Sequence, residues 1–278
     1  MGYLQFAFAQ HALIAGALVA VTCGLIGPFV ITRNMGFAVH GTSELAFTGA
    51  AAGLLVANDA VAGAYLGSLV VAAVIGLLGV SERGRDSSIG VVLAAGLGLG
   101  VLLLSFYHGF AAAATNILFG DIFGVSDRQL LLLGAIGLGV TATMALIYRP
   151  LLFASIDPEV AAARGVRTRL LGVVYLFVLA LTVAGAAQIV GTLLVLSLAI
   201  TPAASAQRLS PNPMAVAGLS VAFALVAADG GLMLSLALGT IKPSVCVSGI
   251  SFAIYLIARL VGPLLLVRRR PLQSTIEA

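Results

Sequence analysis

The sequence predicts an all-α, polytopic membrane protein with about nine transmembrane helices, and three observations carry that reading. Hydrophobic residues make up 61% of the 278 and charged residues only 9%, with a mean hydropathy of +1.16. Apolar runs of bilayer-spanning length, about 20 residues each, follow one another from residue 11 to residue 267. No ten-residue segments of alternating polarity occur, so a β-barrel is excluded and helices must satisfy the backbone in lipid. The 33 glycines suit close helix packing in a bilayer better than a soluble core.

The predicted spans fall near 11–32, 37–57, 61–80, 89–107, 128–148, 170–187, 189–207, 214–232 and 246–267. Together they make 1–278 a single transmembrane domain. The N-terminus lacks a basic leader region, and its first apolar run is long enough to stay as a span rather than be cleaved. Counting alternately, Arg33, Arg83, Arg85, Arg149, Arg164, Arg167, Arg169, Arg208 and Arg268-Arg269-Arg270 collect on one side. The other side holds Arg128 and Lys242, and Arg259 lies within the last span. The positive-inside rule makes the first side cytoplasmic, with the N-terminus outside and the C-terminus inside. The net charge of +4 is therefore topological, and no nucleic-acid partner is expected. Cys23 and Cys246 sit singly in apolar runs and read as core residues.

Two connections stand out. Residues 108–127 (HGFAAAATNILFGDIFGVSD) form an apolar, glycine-punctuated outer segment expected to pack on the mouth. Residues 149–169 form the longest charged stretch, and within it Asp157-Pro158-Glu159 reads as a helix start. Asp supplies the N-cap, Pro the first position and Glu the first turn, while Gly165 ends the helix. A short, solvent-facing helix over 157–165 suits a protein partner, with an interfacial helix on lipid as the alternative.

The chemistry concentrates at His40-Gly41-Thr42-Ser43-Glu44. Residues four apart share one helix face, with Cβ atoms about 5–6 Å apart. Ionisable groups in a membrane are expensive, so they read as a site facing a cavity or partner helix. Imidazole with carboxylate suits Zn²⁺, Mn²⁺ or Fe²⁺, and no cysteine is placed to make a soft Cu(I) site. Two protein ligands are too few for tight zinc binding, which fits a site that must also release its ion. Metal binding needs neutral His40, so uptake weakens at low pH. A bland alternative is a hydrogen-bonded His40–Glu44 pair that merely closes the start of the second span. Asp229, ending AFALVAADGG, reads as an exposed cap before Gly230-Gly231, with a place in the outer vestibule as its functional alternative. His11 and His108 lie near the outer span ends, where they would hand over metal or simply sit at the interface. Pro202 falls inside the seventh span and kinks it.

The only lysine, Lys242, is followed by Pro243, so the chain cannot contain the Gly-Lys-Ser/Thr of a phosphate-binding loop. ATP-driven transport would need a separate ATPase. An intramembrane zinc enzyme is excluded by three histidines in all and no HExxH or GxSxG.

Over nearly its whole length the chain resembles the zinc and manganese group of metal-transporting ABC permeases. The resemblance rests on Arg33-x-Met35-Gly36-Phe37 leading into His40-x-x-Ser43-Glu44-x-x-x-x-Gly49, on Asp86-Ser87-Ser88-Ile89-Gly90, and on Leu118-Phe119-Gly120-x-x-x-Gly124-Val125. It continues through Asp157-Pro158-Glu159-x-Ala161-x-x-x-Gly165, Gln188-x-Val190-Gly191-x-Leu193-Leu194 and Thr201-Pro202-Ala203-Ala204-x-Ala206. It implies a compact permease like the type II ABC importers, working as a homodimer with its pore on the two-fold axis. It also implies an ABC ATPase that receives the helix at Asp157, Pro158, Glu159, Ala161 and Gly165, and an extracytoplasmic metal-binding protein. Many members carry Asp and His four residues apart where this chain has His40 and Glu44, so a metal-capable pair is kept with its types exchanged. The expectation is a non-enzymatic import subunit of a bacterial plasma (inner) membrane, with Zn²⁺ ahead of Mn²⁺ as cargo and no permanent cofactor. An ATP-independent divalent-metal carrier or channel and an iron–siderophore ABC permease are the alternatives.

Overall fold

The computed structural model describes residues 7–78, 82–108 and 110–267, which form helices and no strand. They run in the order α1 (Ala7–Thr32), α2 (Gly36–Ala57), α3 (Ala60–Leu78), α4 (Glu82–Ser105), α5 (Phe110–Phe119), α6 (Asp127–Ile156), α7 (Pro158–Ala163), α8 (Thr168–Val190), α9 (Val195–Ala199), α10 (Thr201–Leu209), α11 (Pro213–Leu238) and α12 (Pro243–Val267). A 3-10 turn, Ile122–Gly124, joins α5 to α6. Five of these helices, α1, α6, α8, α11 and α12, are long and apolar enough to cross a membrane. The Arg268–Arg270 triplet lies outside the described residues.

The bundle has two ends. At one, Arg33 Nη1 donates to Ser155 Oγ at 3.3 Å, Tyr148 donates to the Pro213 carbonyl at 3.0 Å, and Gly262 meets the Arg208 carbonyl. At the other, a cleft gathers Asn58 and Asp59 with Ser126 and Arg128, and His11 Nε2 lies 3.3 Å from Asp127 Oδ1. We call these the Arg33 end and the Asp59 end. α1 and α8 run through the middle, where the buried Tyr175 hydroxyl donates to the Ile26 carbonyl at 3.1 Å and the Tyr175 ring packs on Phe29.

Close approach explains much of the glycine. α2 and α3 cross through Gly49 and Gly53 on one side and Gly63 and Gly67 on the other. A Cβ at Gly49 would lie 2.3 Å from the Gly63 carbonyl oxygen, and one at Gly63 would lie 2.2 Å from that of Gly49. Both helices thus carry a small-xxx-small stripe, whose gain in lipid is van der Waals contact between backbones.

The predicted seventh span, 189–207, is not one helix. α8 stops at Val190, Gly191 takes φ +93°, a turn follows, and α9 runs only five residues before a break at Ile200. Pro202 opens α10, and its missing N–H leaves the Leu198 carbonyl without the usual donor four residues on. α9 is instead fastened to α12: Ser251 Oγ donates to the Ser197 carbonyl at 2.7 Å, and the Ser197 and Ser248 hydroxyls meet at 3.0 Å. The span predicted at 128–148 is also longer, because α6 carries on through Arg149 and Pro150 to Ile156.

Within 108–127, the stretch around Phe119 packs against the break that follows α8. Leu193 N–H donates to the Leu118 carbonyl at 3.3 Å, Thr192 N–H to that of Ile117 at 3.3 Å, and Asp121 N–H to that of Gln188 at 3.3 Å. Ser244 Oγ donates to the Phe119 carbonyl, and Lys242 Nζ stands 4.9 Å from the Phe119 ring centroid. A Cβ at Gly191 would lie 2.3 Å from the Leu118 carbonyl oxygen. Gly191→Ala is therefore expected to cost roughly 2 kcal/mol or more. With no tryptophan in the chain, the check is survival of the monodisperse elution peak after heating in detergent.

Candidate metal site

α2 is less apolar than α1 and α3 because it carries His40, Thr42, Ser43, Glu44 and Thr48. The hydroxyls serve the backbone: Thr42 donates to the Ala38 carbonyl at 2.7 Å, and Ser43 to that of His40 at 2.8 Å. Thr48 donates across to the Gly96 carbonyl at 2.6 Å, tying α2 to α4. None of these groups is turned to the two ionisable side chains.

His40 and Glu44 therefore keep free valence. Glu44 is buried, with 5% exposure, and its Oε2 has no hydrogen-bond partner. His40 is half-buried, and its Nδ1 is likewise shielded and unpaired. Among the described residues no hydrogen bond or ion pair joins the two, so the bland reading of a closed pair finds no support. Leaving such atoms unmet costs about 1–3 kcal/mol each, more when charged. A cation between imidazole and carboxylate would remove that cost. Among the described residues no group of three or more His, Cys, Asp and Glu is assembled.

The other candidates lie elsewhere. His11 is held by Asp127 across the starts of α1 and α6. His108 is exposed in the turn after α4. Asp229 is not an exposed cap, because α11 continues to Leu238. Gly230-Gly231 fails to stop it because Gly231 is a contact point, where a Cβ would lie 2.6 Å from Val247 of α12. Asp229 is half-buried against α1, with Oδ1 unpaired and 3.3 Å from where a Gly16 Cβ would stand.

At the Arg33 end the predicted short helix is present as α7. Asp157 Oδ1 accepts from Val160 N–H at 3.0 Å, Pro158 holds the first position, and Gly165 has φ +84°. Val166 N–H donates to the Ala161 carbonyl at 3.0 Å, which closes the helix in a Schellman pattern. Ala161 is fully buried while Glu159 and Val160 are exposed.

One group escaped sequence reasoning. Gln129 Nε2 donates to Gln188 Oε1 at 2.9 Å, with Gln188 also beside the Tyr65 hydroxyl and Thr192 Oγ1 buried and unpaired nearby. Gln188 stood in a recognised motif, but nothing in the sequence paired it with Gln129.

The model of the ABC 3 transport family matches residues 5–262. The chain belongs to that family. The manganese transport system membrane protein MntC of Halalkalibacterium halodurans is 31% identical over 84% of this chain and 80% of its own length. The high-affinity zinc uptake system membrane protein ZnuB of Haemophilus influenzae is 28% identical over 81% and 86%. The structure of PsaBC from Streptococcus pneumoniae in complex with Fab contains a chain that superposes with a TM-score of 0.85 at 26% identity, covering 95% of each chain. As an ABC 3 family member with five such apolar helices, the chain is a multi-pass membrane protein. Two of the motifs read from its sequence, 118–125 and 188–194, are the two strips of backbone that the fold joins.

Proposed function

We propose that this chain is the membrane-spanning permease subunit of an ATP-driven divalent-metal importer. In this reading His40 and Glu44 take the ion in transit, on a pore formed at the axis of a homodimer. The unpaired His40 Nδ1 and Glu44 Oε2 on one buried helix face carry the proposal. The named relatives, one a manganese system and one a zinc system, support a bare divalent cation. Zn²⁺ stands ahead of Mn²⁺ as the cargo in this proposal, and the ligand pair accommodates both. Further ligands would be water, backbone carbonyls or the same pair on the second copy. Asp229, His11 and His108 are secondary members of the route.

The Arg33 end faces the cytoplasm in this proposal, because Arg149, Arg164, Arg167, Arg169 and Arg208 gather there. The Asp59 end then meets the extracytoplasmic binding protein. α7 would dock on the ATPase, presenting Glu159 and Val160. Val160→Asp is expected to cut co-purified ATPase by about tenfold or more while the permease still elutes as a single species, since a charge in a docking core costs several kcal/mol. Unchanged recovery would instead lay α7 on the lipid surface. Uptake by the permease without any ATPase would favour the secondary-carrier reading.

A further inference from the structure

We propose that Arg33 is a positioning residue that joins α7 to the helix carrying His40 and Glu44, so that movement of one moves the other. The inference rests on the reading of the chain as an ATP-driven permease with α7 as its ATPase contact, and it names a link which that reading lacks. α7 packs on α6 and α8, whereas α2 packs chiefly on α3, α4 and α8. Among the described residues no packed face joins α7 to α2. A displacement taken up at α7 must therefore reach the ion pair through another group.

Arg33 is placed to be that group. Its Nη1 donates to Ser155 Oγ at 3.3 Å, and its Nη2 lies 3.6 Å from where a Gly172 Cβ would stand on α8. Its Cζ is 5.9 Å from the Tyr175 ring centroid, within cation–π reach. One half-buried side chain thus meets α6 and α8 from the turn that opens α2. A cation at the end of a membrane helix ordinarily extends its head into water. Here the head is turned inward onto two helices, and a planar guanidinium can hold a donor bond and a ring face together.

Both ends of the link are short. Ser155 lies on the last turn of α6, where its hydroxyl also donates to the Leu151 carbonyl at 2.6 Å. Asp157, two residues on, ends α6 and caps α7, so no loop separates Ser155 from α7. On the other side the α1–α2 turn is tied down. Arg33 N–H donates to the Phe29 carbonyl at 3.0 Å and Met35 N–H to that of Val30 at 2.8 Å, with Asn34 at φ +52°. Gly36 then begins α2, and His40 and Glu44 follow about one and two turns along it. Packed helices shift as units, so a shift of the Arg33 turn carries the pair with it.

Vesicles holding the permease with an ABC ATPase and an extracytoplasmic metal-binding protein give the readout. It is the metal taken up per ATP hydrolysed, with Mn²⁺ and Zn²⁺ each used as probe. Arg33→Gln is expected to lower that ratio about tenfold or more, a usual size for coupling between sites. Recovery of the ATPase with the permease, ATP turnover, and Mn²⁺ affinity in nanodiscs should stay as in wild type, which a merely structural role would not allow. Ser155→Ala should lower the ratio in the same direction. Adding it to Arg33→Gln should cost nothing further, since both remove one link. Where Arg33→Gln fails to assemble, Ser155→Ala alone decides. An unchanged ratio in the assembled variants overturns the link, as does a loss of uptake matched by loss of ATPase recovery or of Mn²⁺ affinity. Wild-type vesicles without ATP-driven uptake of either ion would instead overturn the permease reading, and the link with it.

Discussion

Replacing Gly49 with valine is expected to remove the folded protein from the membrane fraction. The valine Cβ would stand 2.3 Å from the Gly63 carbonyl oxygen and 2.9 Å from the Gly67 Cα, and neither backbone atom can yield as a side chain could. Relief requires α2 and α3 to part along the whole Gly49–Gly53 and Gly63–Gly67 seam. Overpacking alone costs about 1–3 kcal/mol, and separating the seam adds the lost contact of both stripes. Gly49→Ala should be milder but still destabilising. Heating in detergent, followed by the elution profile, measures both, and a Gly49→Val protein as heat-stable as wild type would refute the seam.

Removing either metal-capable side chain is expected to weaken Mn²⁺ or Zn²⁺ binding by about 100-fold, the upper range for disturbing even a supporting group of a metal site. The pH response gives the sign. A protonated imidazole cannot ligate, so acidification makes protons compete with the ion at His40 and wild-type affinity falls as pH falls. His40→Ala binds weakly throughout and should show a flatter acid limb, whereas Glu44→Gln should keep the histidine's dependence. Measuring bound Mn²⁺ at several pH values checks this, and an unchanged acid limb in His40→Ala would assign the proton competition to the Glu44 carboxylate and not to His40.

The long helices were legible because a bilayer asks for one property, apolar length, that any window of the sequence reveals. α7 was legible for a local reason, since Asp157, Pro158 and Gly165 each act within a few residues. The break of the seventh span was not, although Gly191 and Pro202 were in plain view. An apolar run tolerates a broken helix when neighbours take over its backbone groups, and here Ser251, a residue of α12, does so at the Ser197 carbonyl. Asp229 was misread for the same kind of reason. Gly230-Gly231 looks like a stop, but Gly231 serves contact with Val247. His40 and Glu44 were visible as a pair through their spacing. The burial that leaves Nδ1 and Oε2 unpaired is tertiary, and so is the meeting of Gln129 with Gln188.

The most direct measurement is ATP-dependent uptake of Zn²⁺ and Mn²⁺ in vesicles that hold this chain with an ABC ATPase and an extracytoplasmic metal-binding protein. Wild type, His40→Ala and Glu44→Ala would be compared at equal assembly. Both variants are expected to lose uptake with ATPase activity retained, and the better-transported ion names the cargo. Undiminished uptake by both variants would contradict a metal site at His40 and Glu44, making the pair structural and moving the search for the route to Asp229.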